Sequence, residues 1–106
     1  METTLIPVRN AMRKLGADIR SSRLRRRIPT AVMANRVMIS RMTLHKVERG
    51  EPTVSFGIYA NVLFVLGMID RLADLADVRF DMVGLALDEE HLPKRIHLRK
   101  EPRDGT

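Results

Sequence analysis

The chain has 106 residues, no cysteine and a formal net charge of +6. That length suits one compact domain burying roughly two thirds of its unfolded surface, and the lack of cysteine excludes a disulfide framework and a thiolate metal site. Charge is sorted along the sequence, with +9 over residues 1–50, −6 over residues 51–93 and +3 over residues 94–106, which points to a front that meets a polyanion and a back with another task. The plain alternative is an ordinary solvated basic surface. No apolar run reaches the roughly 18 to 20 residues that span a bilayer, and Met-Glu-Thr-Thr-Leu has neither the basic opening nor the apolar core of a secretion signal. A soluble, cytoplasmic protein with no membrane partner is expected.

Residues 1–8 contain Pro7 and no periodicity, and read as a flexible arm. A helix is expected over residues 9–27, with Met12, Leu15 and Ile19 at helical spacing and Leu24 and Ile28 continuing the apolar side. Arg23, Arg25, Arg26 and Arg27 crowd its end, where cations either complement the macrodipole or bind phosphate. Pro29 stops that helix and opens the next, which Thr30 caps or begins, with Met33, Ala34 and Val37 inward. Ser40 suits the N-cap of a further helix, and Gly50 suits the left-handed position just past its end. Two short helices about three residues apart have the spacing of a helix-turn-helix. At about 100° per residue, Arg41, His45, Arg49, Met42 and Lys46 fill an arc of about 140° that holds no acid. Thr43, Leu44 and Val47 lie opposite, with Glu48 at the boundary. A face that is merely solvated would carry mixed charge.

Residues 51–54 connect to a helix over residues 56–66, capped by Ser55 and ended by Gly67, whose apolar residues run nearly all round. In a monomer that excess leaves an exposed patch. Ile69, Leu72, Leu75 and Ala76 then line one side of a helix that carries Asp70, Asp74 and Asp77 on the other. Asp81 caps a last helix through Glu90, with Val83, Leu85, Ala86 and Leu87 inward and Pro93 closing it, although residues 82–87 also fit a buried strand. The tail, residues 94–106, is basic and fits a disordered segment, a short strand or one ordered by a partner. Asp88, Glu89, Glu90 and His91 read as solvated side chains, so neither metal nor cofactor is expected. With no glycine-rich phosphate loop and no nucleophile elbow, an enzyme is not expected either.

Residues 15–66 also carry a resemblance. Leu15-Gly16-x-x-Ile19-Arg20-x-x-Arg23, Met33-Ala34, Ile39-Ser40-Arg41, Thr43-Leu44, Val47-Glu48-Arg49-Gly50 and Leu66-Gly67 together look like the Xre family, the helix-turn-helix domain of phage repressors and Cro proteins. The likeness covers about half the chain. It departs at Met38, where the family often has glycine or another small residue, and at Thr30, where it often has a glutamine that clamps phosphate. It implies an all-α, lambda-repressor-like bundle of about five helices with a C-terminal helical extension and a short tail. The divisions expected are an arm at residues 1–8, the DNA-binding domain at 9–67, a dimerisation extension at 68–93 and the basic tail at 94–106.

By that resemblance Arg41, Met42 and Lys46 fall where the family reads base edges, with His45 as an extra contact. Arginine can bond guanine O6 and N7 bidentately, and methionine can lie against a thymine methyl. Thr30, Ser40 and Arg49 fall where phosphates are held, which fixes register without reading sequence. Arg23 and Glu48 are expected to pair. The implied partners are double-stranded operator DNA with palindromic half-sites and a second copy of the chain, meeting it through Phe64, Val65, Ile69, Leu72 and Leu75. More narrowly, Tyr59-Ala60-x-Val62-Leu63-Phe64-Val65-Leu66-Gly67, Arg71-Leu72-Ala73-Asp74-Leu75-Ala76-Asp77 and Leu92-Pro93-Lys94-Arg95 are similar to HipB-type antitoxins. That likeness implies repression of the chain's own operon and binding to a HipA-like kinase toxin through the acidic second half or the basic tail. The alternatives are a stand-alone or prophage-type repressor without a toxin, and an interaction or RNA-binding module that uses the basic front without reading bases.

Overall fold

The computed structural model describes residues 3–98, with side chains through residue 91, and over that span it is helical, with no strand among the described residues. The chain divides into two units, Met1–Leu72 and Ala73–Thr106. In the first, α1 (Ile6–Arg25), α2 (Thr30–Arg36), α3 (Arg41–Glu48) and α4 (Phe56–Val65) are followed by α5 (Ile69–Ala73), which ends at the boundary. The second holds a 3-10 turn at Val78–Phe80 and α6 (Met82–Leu98). Among the described residues no helix is long and apolar enough to cross a membrane.

Helix α1 starts at Ile6, so residues 6–8 are helical where an arm was expected. Pro7 is the reason: in the first turn its preset φ is helical and its missing N–H has no partner to lose. Ser40 and Ser55 cap α3 and α4, their hydroxyls accepting from the amides of Thr43 at 3.0 Å and Ile58 at 3.2 Å. Thr30 is the first residue of α2, and its side chain makes no capping bond.

Helices α1 to α4 all end in the same way. The residue past the cap takes a positive φ and donates to the carbonyl three residues back, while the next residue donates five back: Arg27 and Ile28, Met38 and Ile39, Gly50 and Glu51, Gly67 and Met68. Glycine is strain-free in that left-handed position, and Arg27 at φ 55° and Met38 at φ 59° are not. Met38 gains no burial in return, for it is 90 % exposed.

The core is formed by Ile19, Met33, Ala34, Val37, Leu44, Val47, Tyr59, Val62 and Leu66, every one of them in the first unit. Met12, Leu15 and Ile28 pack against it as expected, but Leu24 is exposed. Gly16 brings α1 against the end of α3: a Cβ there would lie 2.5 Å from the Gly50 amide nitrogen and 2.6 Å from the Val47 carbonyl oxygen. Gly50 is constrained from the other side, since its own Cβ would strike the backbone of Met12 and Arg13.

The second unit departs further from expectation. Helix α5 stops at Ala73, because Asp77 leaves the helix with extended backbone to cap the 3-10 turn, accepting from the Arg79 amide at 2.8 Å. Asp81 caps α6, its carboxylate accepting from the Gly84 amide at 2.9 Å, and residues 82–87 are helix rather than strand. Val83, Leu85, Ala86 and Leu87, expected inward, are exposed, Val83 at 71 %. Periodicity chose their face, but nothing among the unit's described residues buries it. The helix also passes Pro93, where it was expected to close, and runs to Leu98. Residues 94–98 of the expected tail are thus helical, and residues 99–106 lie outside the described residues, as do residues 1 and 2 of the expected arm.

Candidate nucleic-acid interface

Helix α3 has a fixed inner face and a solvent face of different chemistry. Inward, Leu44 and Val47 are fully buried and Glu48 is 8 % exposed. Glu48 meets Arg23 of α1, itself 5 % exposed, through two bonds: Nε to Oε2 at 2.7 Å and Nη2 to Oε1 at 3.1 Å. The remaining Arg23 nitrogen, Nη1, donates to the Ile28 carbonyl at 2.9 Å. Both charges are therefore paired and bonded, the condition under which a buried ion pair is tolerated. The pair, together with the Gly16–Gly50 crossing, locks the rotation of α3 about its axis.

Outward, Arg41, Met42, His45 and Arg49 are exposed and Lys46 is half-buried. The structure thus places the four expected base-reading residues on one accessible side of α3, next to the turn that carries exposed Met38. The three expected phosphate contacts are less alike. Ser40 spends its hydroxyl on the helix cap and on the Thr43 hydroxyl at 3.0 Å, while Thr30 is half-buried at the start of α2. Arg49 is held by Glu51, with Nη2 and Nε at 2.6 and 2.9 Å from the same carboxylate oxygen.

The arginine cluster at the end of α1 resolves largely into internal contacts. Arg25 donates to the Ser21 and Ser22 hydroxyls, and Arg26 bridges from the Ser22 carbonyl to the Leu66 carbonyl at the end of α4. These are uses of cations at helix C-termini. Of the residues expected at a dimer contact, Phe64 and Leu75 are exposed and Val65, Ile69 and Leu72 half-buried. Among the described residues no group of three or more acidic or histidine side chains is gathered that could hold a metal.

Tyr59 and Glu51, expected only as part of a likeness and of a connector, make contacts that spacing does not give. The buried Tyr59 hydroxyl donates to the Glu51 carbonyl at 2.8 Å, pinning the connector between α3 and α4. Burial, aided by the Glu51 charge, pushes that hydroxyl up to about 12. A tyrosine amid apolar helix residues was the available signal, since a buried hydroxyl needs a partner. For Glu51 it was an acid two residues past Arg49. Comparisons with family models, with curated proteins and with solved structures find no match to this chain.

Proposed function

We propose that the chain is a sequence-specific DNA-binding repressor in which α2 and α3 form a lambda-repressor-like helix-turn-helix and α3 enters the major groove. What carries the reading is the exposed side of α3: Arg41, His45 and Lys46 with Met42 among them and no acid, mounted on a helix whose rotation the buried Arg23–Glu48 pair fixes. Base reading needs long donors held in register, and this face supplies both. Arg41 is the residue assigned to guanine, Met42 to a thymine methyl, Lys46 and His45 to further acceptors, and Arg49 with Ser40 and Thr30 to phosphates.

A two-fold dimer reading two half-sites completes the proposal, with Phe64, Val65, Ile69, Leu72 and Leu75 as its contact. Support comes from the exposed apolar side chains on and after α4, which single-chain burial leaves unexplained. The likeness to HipB-type antitoxins extends the reading to an autoregulated operon and a HipA-like kinase toxin as protein partner. An adjacent reading frame without a kinase-like product would favour the stand-alone repressor.

The test is selection from a random duplex pool by the full-length chain, followed by sequencing of what it retains. A palindromic motif bound at least about a thousandfold more tightly than scrambled duplex is expected. Equal affinities with only a steep salt dependence would reject sequence-specific repression.

A further inference from the structure

The arc on α3 that carries no acid is met from outside the helix by one. Glu51 follows the helix end, and its Oε2 accepts from both Nε and Nη2 of Arg49. The carboxylate does not reach Arg49 by chance motion of a loose loop. The residue's amide donates to the Lys46 carbonyl at 3.0 Å, and its own carbonyl accepts from the buried Tyr59 hydroxyl at 2.8 Å. The backbone that presents the acid is thus bonded on both sides, to α3 and to α4. The pair itself stays in solvent, with Arg49 61 % and Glu51 33 % exposed, so the guanidinium can exchange partners. A phosphodiester offers the same single negative charge as a carboxylate and likewise two oxygens that can accept from a guanidinium.

Resting on the DNA-binding reading above, we propose that Glu51 is an internal competitor for DNA phosphate at Arg49, lowering the affinity of this face for duplex whatever its sequence. When a phosphate takes Arg49, the anchored carboxylate remains close by and repels it. Removing the charge frees the arginine and ends the repulsion.

The experiment measures anisotropy of fluorescein-labelled scrambled duplex, and of duplex selected by the chain, across a salt series for wild type, Glu51→Gln, Arg49→Ala and the double variant. Glu51→Gln is expected to bind both duplexes about two- to fivefold more tightly, with a salt slope steeper by about 0.9. Added to Arg49→Ala, the same change should alter affinity by less than about twofold, since the competition needs the arginine. Because residue 51 bonds to Lys46 and Tyr59 through its backbone, Glu51→Gln should keep the wild-type melting temperature. Unchanged binding by Glu51→Gln, or an equal gain without Arg49, overturns the proposal while leaving DNA binding intact. Failure of the wild-type chain to bind either duplex overturns both readings.

Discussion

In Met1–Leu72 the apolar side chains close on one another: nine are buried, a tyrosine hydroxyl and an ion pair are buried with them, and each has its partner. In Ala73–Thr106 no described side chain is buried, and Leu75, Val78, Phe80, Met82, Val83 and Leu87 are each more than half exposed. Both units are helical among the described residues, and the contrast lies in what there is to pack against. In the first unit α1 to α4 close on one core, and that interior fixes α3. The second has one long helix and a turn, which cannot bury its own apolar face. Its remaining order is local: the Asp77 and Asp81 caps, and the Arg79 pairing that holds the Asp77 carboxyl below its ordinary value.

The sharpest way to break the contrast is Glu48→Ala, which leaves Arg23 charged and buried without its partner. A loss of about 3 to 5 kcal/mol in denaturant unfolding is expected, enough to abolish the proposed DNA binding through the fold. A variant that kept the wild-type midpoint would show that the first unit does not depend on its buried pair. Next comes alkaline pH. An unfolded tyrosine loses its proton near pH 10, while folded Tyr59 keeps it to about 12. The folded state then binds more protons between those values, so the contribution is complete below pH 10 and is lost as pH rises through 12. Roughly 2 to 3 kcal/mol should disappear across that window, and Tyr59→Phe should flatten it.

A smaller effect of opposite sign is expected at Met38→Gly. Relief of the left-handed strain should raise stability by about 0.5 to 1 kcal/mol, read as a higher urea midpoint, because no buried contact is lost. Smallest of all is Val83→Ser in the second unit, expected to stay within about 0.5 kcal/mol of wild type in dilute protein. A large destabilisation there would mean that a partner already covers this face.

The same contrast governs what the sequence could disclose. Inward positions of α2 and α3 were legible at Met33, Ala34, Val37, Leu44 and Val47, as were the caps at Ser40, Ser55 and Asp81 and the helix ends at Gly50 and Gly67. Those features are local or follow a period of 3.6. The left-handed ends at Arg27 and Met38 were not, because neither position carries the glycine that would mark it. Nor could spacing foresee that Val83 and Leu87 would remain exposed, since periodicity selects a face without supplying its partner. At the site, the exposed arc of α3 followed from the helical wheel and the Arg23–Glu48 pair from family likeness. The hold of Glu51 on Arg49 depends on how the connector is pinned by Tyr59, a contact between helices that spacing does not encode.

The proposed base reading by α3 is tested most directly by the affinity of Arg41→Ala for selected and for scrambled duplex at one salt concentration. Base reading predicts a loss of about 1 to 3 kcal/mol on the selected duplex, confined to one base position, with a clearly smaller loss on scrambled DNA. Equal losses on both would contradict it, leaving Arg41 as one more contact to phosphate.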